Sequence, residues 1–219
     1  MAKRIFDIIF SLTAIIILSP FLLPLVILLK VTGEGEVFYK QQRLGKNGNT
    51  FYLVKFATML KESPNLPGGD ITVVNDPRVL PFGHFLRKTK INEVPQLWNI
   101  LKGDMSFVGP RPFTPRTFAL YPKYVQEEII SLKPGLTGIG SIVFRDEESI
   151  IANSEKNDFD YYCEDVLPYK GQLEIWYKAN NSFYTDLKLL FITLWVILIP
   201  NSRAYEKLLR DLPTQPTCY

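Results

Sequence analysis

The sequence predicts a small α+β protein, mostly helical and attached to a membrane. Three observations indicate this class. The stretch from Ile8 to Leu29 contains no charged residue, short segments rich in aromatic and β-branched residues alternate with glycine turns, and the remaining apolar residues recur at helical spacing. The length of 219 residues favours a single globular domain. We therefore divide the chain into a membrane segment at 1–32, a globular domain at 33–200 and a tail at 201–219.

The uncharged stretch is long enough to cross a bilayer, which takes about 20 apolar residues. A single straight span is the simpler interpretation. Against it, Ser19 and Pro20 lie in the middle, and a proline inside a helix removes a backbone hydrogen bond and clashes with the preceding turn. Basic residues also flank both ends, whereas a true span usually shows them on one side. We therefore expect a re-entrant helix-break-helix, broken at Ser19 and Pro20, with both ends on the cytoplasmic face.

The rest of the chain reads as short elements. Segments 37–39 and 51–54 are candidate strands of a short β-hairpin, and Tyr121 to Leu132 is a candidate helix that ends before Pro134. Leu187 to Ile199 is almost wholly apolar but too short to span. This segment is either a buried core helix or an interfacial one with Trp195 at headgroup depth, and we favour the second. Ala204 to Leu212 is a short amphipathic piece.

Composition excludes several functions. A net charge of +3 with no block of basic residues argues against nucleic-acid binding. Cys163 and Cys218 lie far apart without metal or redox spacing, so we expect free thiols in a reducing compartment. His84 is the only histidine, and we expect it to pack or lie at the surface rather than to catalyse.

The segment from Arg87 to Pro112 carries the candidate chemistry. An apolar helical face is formed at 94, 97, 98 and 101, with Asn92 as the expected N-cap and Gly103 as the terminator. Glu93 then lies at a helix N-terminus, where a phosphate could share the position only through a bridging cation such as Mg²⁺. Arginines at both ends suit a phosphorylated ligand. The plainer interpretation is that Asn92 and Glu93 only cap a helix and Arg111 lies on a solvated loop.

The same segment resembles a family signature. From Leu86 to Pro112 the chain reads LRKTKINEVPQLWNILKGDMSFVGPRP, which is similar almost continuously to the signature of the bacterial sugar transferases, the small monotopic polyprenyl-phosphate phosphoglycosyl transferases. Further similar segments lie, in the family's order, at 38–45, 55–59, 76–78, 133–138 and 186–188.

The resemblance implies transfer of a phospho-sugar from a nucleotide diphosphate-sugar, usually a UDP-sugar, to a polyprenyl phosphate such as undecaprenyl phosphate. UMP leaves, and the lipid-linked product begins a bacterial surface glycan. The implied cofactor is Mg²⁺, and the implied location is the bacterial inner membrane, with the catalytic domain and an interfacial C-terminal helix on the cytoplasmic face. The sequence leaves the sugar and the oligomeric state open, a homo-oligomer included.

The resemblance also implies residue roles by position. Glu93 is the catalytic carboxylate and magnesium ligand, and Asn92 occupies the nucleophile position. The remaining roles are phosphate binding by Arg87, Arg111 and Lys55, stiffening of the arginine loop by Pro110 and Pro112, and a late carboxylate near the site, Asp186.

Asn92 departs from the family, whose dyad is Asp-Glu with the aspartate as covalent nucleophile. A carboxamide has no charge to give and a delocalised nitrogen lone pair, so Asn92 cannot form a phospho-aspartate. Four explanations remain: Glu93 attacks instead, the lipid phosphate attacks directly, the protein is a silent scaffold or lipid-phosphate binder, or Asn92 is an engineered trap. Other departures at Ala57 and at 140–142 indicate a natural subgroup. We favour an enzyme with an altered dyad.

Overall fold

The computed structural model describes residues 1–66, 76–199 and 202–214. It is a mostly helical α+β structure with a β-hairpin, as predicted. The chain forms two compact units, one with residues up to Arg43 and from Phe51 to Asp104, the other with Leu44–Thr50 and the residues from Met105 onward. The predicted division at 32 and 200 remains a prediction.

The first unit is built around a long helix and a hairpin. Its elements are α1 (Ala2–Val31), most of β1 (Phe38–Leu44) and β2 (Thr50–Phe56), α2 (Pro81–Lys88) and α3 (Gln96–Lys102), with 3₁₀ turns at Ser63–Asn65 and Ile91–Glu93.

The long N-terminal helix corrects one prediction. The expected break at Ser19 and Pro20 does not divide it, because α1 is one helix with Pro20 and Pro24 inside. Ser19 Oγ donates to the Ile16 carbonyl at 3.0 Å. A serine next to a proline can satisfy a carbonyl that the missing proline amide leaves open, which lets an apolar helix tolerate the proline.

Both ends of α1 are anchored in the first unit. The Arg4 guanidinium donates to the carbonyl oxygens of Ile100 and Leu101, at 2.6 and 2.7 Å, at the end of α3. Near the other end, Leu29 is buried in a cluster with Phe56 and Leu86. Between these anchors most of the apolar side chains are exposed, including Leu12, Ile16, Ile17, Phe21, Leu23 and Ile27.

The hairpin pairs β1 with β2, close to the predicted segments. The Ala57 amide donates to the Val37 carbonyl at 3.0 Å at one end of the hairpin, and a 3₁₀ turn at Lys46–Gly48 closes the other. The Asn99 side chain covers the outer edge of β2. Its Oδ1 accepts from the Val54 amide at 3.1 Å, and its Nδ2 donates to the Tyr52 carbonyl at 2.8 Å.

The second unit is helical around a pair of three-residue parallel strands, β3 (Ser106–Val108) and β4 (Gly135–Thr137), with Ser106 opposite Gly135 and Val108 opposite Thr137. Its helices are α4 (Pro115–Ala119), α5 (Lys123–Ile129), α6 (Ile139–Val143), α7 (Glu147–Ala152), α8 (Asp158–Tyr161), a π-helical turn (Tyr162–Val166), α9 (Leu167–Ala179), α10 (Phe183–Leu198) and α11 (Ala204–Leu208).

Several predictions hold here in modified form. The predicted helix at 121–132 is the shorter α5, and α10 begins four residues earlier than expected. The described part of the tail packs on α9, because Trp176 Nε1 donates to the Arg210 carbonyl at 3.1 Å and Tyr169 Oη donates to the Pro213 carbonyl at 3.2 Å. Cys163 is a free thiol, as predicted, while Cys218 lies outside the described residues. His84 is exposed.

Candidate functional site

Lys55 and Glu93 form the centre of the candidate site. Lys55 lies near the end of β2, and Glu93 ends the 3₁₀ turn that follows α2. Lys55 Nζ lies 3.2 Å from Glu93 Oε1, and the two side chains are 20% and 16% exposed. The ion pair is therefore partly shielded from water, where a charge acts more strongly on a ligand than it would in bulk solvent. The structure thus brings together two residues assigned to the site from 38 positions apart.

Asn92 does not cap a helix, which corrects the prediction. Helix α3 begins at Gln96, after Pro95, with no side-chain cap, and the segment 91–93 is a separate 3₁₀ turn. Asn92 is instead buried at 6% exposure, and its Oδ1 has no hydrogen-bond partner among the described residues. A buried acceptor without a donor costs about 1–3 kcal/mol. A bound donor group or cation at this oxygen would recover that cost.

The predicted apolar face of α3 is also only partly buried. Leu97 lies in the core, whereas Trp98 is exposed, and the buried face includes the polar residues Gln96 and Asn99. The Asn99 side chain is buried because it hydrogen bonds to the backbone of β2. The spacing of apolar residues along a helix could not indicate this role. Gly103 ends the helix with φ of 103°, as predicted.

Arg87 lies in the last turn of α2, in the same unit as Lys55 and Glu93. The chain reverses at Lys90, whose φ of 59° is left-handed, and the Lys90 amide donates to the Arg87 carbonyl at 3.1 Å. This tight turn sets Arg87 directly before the 3₁₀ turn that carries Asn92 and Glu93. The Arg87 guanidinium contacts Met59 Sδ at 3.6 Å.

A buried ion pair beside Arg87 was not singled out from the sequence as part of the site. Arg78 Nε lies 2.9 and 3.1 Å from the two Asp76 carboxylate oxygens, and the Arg78 amide also donates to Asp76 Oδ1 at 2.9 Å. Hydrogen bonds from the Arg78 side chain hold the pKa of Asp76 below its usual value, and the Arg87 charge adds to this effect. The sequence Asp-Pro-Arg indicates a turn, but it does not indicate that the two charged side chains are buried.

The arginine loop, residues 109–112, lies in the second unit. Arg111 is exposed between Pro110 and Pro112, which are both buried. The loop follows β3 directly, and the Gly135 amide donates to the Pro110 carbonyl at 2.8 Å. Two buried prolines and a bonded backbone restrict the loop, and the role of the prolines in aiming Arg111 remains a prediction.

Asp186 is buried rather than open to solvent. Tyr177 Oη donates to Asp186 Oδ1 at 2.6 Å inside the second unit.

The predicted site residues are distributed over both units. The first unit contains Lys55, Arg87, Asn92 and Glu93, and the second contains Pro110, Arg111, Pro112 and Asp186. Their joint use of one ligand remains a prediction.

The donor set fits a hard cation that is bound mainly by its substrate. Within the described residues, no group of three or more His, Cys, Asp or Glu side chains could hold a metal alone. Glu93 and the buried Asn92 oxygen supply two oxygen donors at consecutive positions of the chain. Mg²⁺ is usually held by one or two protein ligands together with substrate phosphates, so these residues are compatible with it.

Helix α1 is long and apolar enough to cross a membrane, with a mean hydropathy of 2.7 over its most apolar window. Only 6% of that window is buried within the protein. An apolar helix that the protein leaves uncovered indicates membrane association.

Comparison with known proteins identifies the family of the chain. The chain matches the bacterial sugar transferase family over residues 1–200. An undecaprenyl-phosphate galactose phosphotransferase of Salmonella typhimurium is 36% identical over 90% of this chain and 40% of its own length. An undecaprenyl-phosphate glucose phosphotransferase of Komagataeibacter xylinus is 32% identical over 88% of this chain and 35% of its own length.

A relative of more similar length is the exopolysaccharide production protein ExoY of Rhizobium meliloti, which is 33% identical over 89% of this chain and 84% of its own length. The chain spans about two fifths of the length of several other curated relatives. Because the match to the family extends over nearly the whole sequence, the chain belongs to the bacterial sugar transferases.

Proposed function

We propose that this protein transfers a phospho-sugar from a UDP-sugar to a polyprenyl phosphate, releases UMP, and thereby begins a bacterial surface glycan. The single observation that carries the proposal is the shielded Lys55–Glu93 ion pair, with an unpartnered buried oxygen at the preceding residue, Asn92, in a member of this family. The relatives named for galactose and glucose phosphotransfer support the substrate class.

The cationic side chains have the binding role. Lys55 supplies an ammonium group beside Glu93, and Arg87 and Arg111 supply guanidinium forks that match phosphate oxygens in two-point contacts. Diphosphate binding would draw Lys55 away from Glu93 and leave that carboxylate available. Mg²⁺ held by Glu93 and the Asn92 oxygen would neutralise charge on the phosphates.

The reaction exchanges one phosphorus–oxygen bond for another. The sugar-linked phosphorus gains a bond to an attacking oxygen and loses its bond to the oxygen that bridges to UMP, which leaves with the electron pair. Asn92 has no charge to attack with, so Glu93 is the acting carboxylate in our proposal and takes up the phospho-sugar as UMP leaves. In a second displacement an oxygen of the polyprenyl phosphate attacks the same phosphorus, and the Glu93 oxygen leaves with the electron pair, which restores the carboxylate. Direct attack by the lipid phosphate is the alternative route to the same products.

The test measures UMP release by the purified protein with Mg²⁺, undecaprenyl phosphate and a panel of UDP-sugars. We expect release by the native sequence, a loss of about 100-fold or more in Glu93→Gln, and a smaller loss in Asn92→Ala, which removes a proposed Mg²⁺ ligand but not the attacking carboxylate. Glu127→Gln, at an exposed carboxylate, is the matched control. Formation of a trapped glycosyl-phosphate on the native protein would separate attack by Glu93 from direct attack by the lipid.

The second candidate function is a catalytically silent membrane-bound homologue, a scaffold or lipid-phosphate binder. The observation that favours it is Asn92 at the nucleophile position. No UMP from the native sequence together with release by Asn92→Asp would establish this second function and refute the first.

We also propose that α1 stays one helix but bends at Pro20, so that it enters and leaves the bilayer on the same, cytoplasmic face of the bacterial inner membrane. The supporting observation is that Arg4 and Leu29, near its opposite ends, both contact the first unit. A straight span of about 30 Å would separate its ends across the bilayer, where one folded unit could not reach both. Tags before Met1 and after Tyr219 should both be inaccessible to protease in spheroplasts. Digestion of only one of them would exclude the re-entrant course.

Helix α10 is the proposed interfacial helix. Its buried face carries Asp186, Leu189, Ile192 and Val196, while the opposite face exposes Phe183, Tyr184, Leu187, Phe191, Leu194, Trp195 and Leu198. An apolar face of this size, with Trp195 near its end, is typical of a helix that lies in the headgroup region.

A further inference from the structure

The start of the arginine loop is fixed by unusually close backbone packing. A Cβ atom added at Gly135 would lie 2.1 Å from the Gly109 amide nitrogen, and one added at Gly138 would lie 2.2 Å from the Gly109 carbonyl oxygen. The Gly109 amide donates to the Thr137 carbonyl at 2.9 Å. The backbone two residues before Arg111 therefore has almost no freedom relative to β4.

This strand pair needs support from below, because two strands of three residues are not stable alone. Helix α10 supplies part of it, since Thr193 and Thr137 share a hydrogen bond of 2.8 Å between their hydroxyl oxygens. Helix α9 contributes Tyr177, whose hydroxyl oxygen lies 3.4 Å from the Val108 carbonyl oxygen at the end of β3.

The Tyr177 hydroxyl is itself held. Its single hydrogen is donated mainly to Asp186 Oδ1 at 2.6 Å, with the Val108 carbonyl oxygen as a second, weaker acceptor of the same hydrogen at 3.4 Å. Tyr177 and Asp186 are 1% and 4% exposed. A buried phenol–carboxylate pair is costly to desolvate, and apolar side chains of the same volume would fill this space at lower cost. Its position, under the last strand residue before the Gly109–Pro112 turn, suggests a reason other than filling the core.

We propose that Tyr177 is a positioning residue for Arg111, with Asp186 as the group that orients its hydroxyl. Tyr177 fixes the end of β3, and the close-packed glycines transmit that position to the turn from which Arg111 projects. The inference rests on the proposed function, in which Arg111 binds the donor diphosphate, and it makes Asp186 a support of the loop rather than a ligand of the substrate.

The test is a double-mutant cycle on the affinity for UDP, the part that all UDP-sugar donors share, measured by calorimetry on the full chain in detergent with Mg²⁺. We expect Tyr177→Phe, which keeps the ring, to weaken UDP binding about 3- to 10-fold, and Arg111→Ala to weaken it more. In the Arg111→Ala background, Tyr177→Phe should have no further effect. Tyr184→Phe, at a tyrosine 68% exposed on α10, is the matched control.

Two further measurements keep the test decisive. Asp186→Asn retains an acceptor for the Tyr177 hydroxyl, so its UDP affinity should stay within about twofold of the native value. Amide hydrogen exchange over 106–112 should quicken in Tyr177→Phe but not in Tyr184→Phe. This exchange readout reports the loop directly and does not require UDP to bind.

The outcomes separate the two levels of the proposal. If Arg111→Ala weakens UDP binding but Tyr177→Phe does not, or if their effects add, the positioning role is overturned and the proposed function stands. If the native protein does not bind UDP, or Arg111→Ala leaves binding unchanged, the proposed role of Arg111 fails and the inference fails with it.

Discussion

Two buried carboxyl groups of this protein have pKa values displaced in opposite directions. Hydrogen bonds from the Arg78 side chain hold the pKa of Asp76 low. Burial without a compensating partner raises the pKa of Glu174 to about 8, although the Lys170 charge opposes the rise. Glu174 Oε2 has no hydrogen-bond partner among the described residues, and a Cβ added at Gly140 would lie 2.6 Å from Oε1. The two groups therefore make opposite contributions to stability as pH changes.

Replacing Glu174 by glutamine should remove a pH-dependent loss of stability. Because the pKa of Glu174 is raised in the folded state, its contribution is fully present below the unfolded value of about 4.3 and is lost as pH rises towards 8. Glu174→Gln should therefore be more stable than the native protein at pH 8, by on the order of 3 kcal/mol. Denaturation from pH 5 to 8 measures this, with the exposed Glu128→Gln as control. Parallel pH profiles for the native protein and Glu174→Gln would contradict it.

Replacing Asp76 by asparagine should have the reverse pH dependence. The carboxylate contributes stability above the ordinary aspartate pKa and loses it as pH falls through the lowered pKa of the folded state. Asp76→Asn leaves Arg78 buried without its anion, which should cost about 3 kcal/mol at pH 7 and less below about pH 4. Glu36→Gln, which breaks the exposed pair with Lys61, should cost less than 1 kcal/mol. An equal loss in both variants, measured by urea unfolding, would refute the prediction.

At the scale of single residues, the sequence indicates a role where the residue type limits the possible chemistry. It does not indicate a role that depends on which side chains are buried together. Glu93 and Lys55 were assigned to the site by their positions in the segments that resemble the family, and their roles there remain predictions. The N-cap role of Asn92 failed because the chain forms a 3₁₀ turn first, at a left-handed Lys90 that local preference does not indicate. Tyr177 gave no sequence signal, since its partner lies nine residues away across a turn.

At the scale of elements, the helices α1 and α10 leave their apolar residues uncovered for different reasons. Helix α1 is apolar nearly all round, whereas α10 has one buried face and one exposed face. The sequence predicted both as membrane-facing but predicted a break in α1. The break was over-predicted because a proline is destabilising in water, while in an apolar helix its lost bond can be replaced by a neighbouring hydroxyl.

The three tryptophans allow the position of α10 to be measured. Trp195 is 40% exposed on the apolar face, whereas Trp176 is buried on α9. In vesicles with brominated phospholipids, a variant that keeps only Trp195 should show strong fluorescence quenching. A variant that keeps only Trp176 is the matched control and should show little. Equal quenching in the two variants would remove α10 from the interface.

At the scale of the whole molecule, we expect the membrane association to depend on apolar surface rather than on charge. The net charge is only +3, while α1 alone exposes apolar side chains over most of its length. Each basic residue near an anionic surface contributes about 1 kcal/mol and is screened by salt, whereas apolar burial is not.

Membranes that contain the native protein should therefore retain it through washes with 1 M NaCl and with alkaline carbonate, and release it only to detergent, since burial of the apolar α1 surface does not weaken with salt. The measurement is an immunoblot of pellet and supernatant. Release by salt alone would show that charge holds the protein and would contradict the prediction.

The organisation into two units was not predictable from the sequence. The hairpin strands lie mainly in the first unit while their turn, Leu44–Thr50, belongs to the second. Alternation of apolar residues identifies a strand but does not say which distant segment its ends will contact. The parallel strands β3 and β4 were not predicted either, because a strand of three residues is too short for its alternation to be recognised.

The carboxamide of Asn99 has one more effect, on solubility. A strand edge with open amides and carbonyls is a template on which another chain can add a strand and start an aggregate. At Tyr52 and Val54 one side chain takes up both kinds of backbone group, so this stretch of the edge cannot be extended. The ribbon can stay two strands wide without a third strand, and a protein concentrated at a membrane surface gains protection against stacking with its own copies.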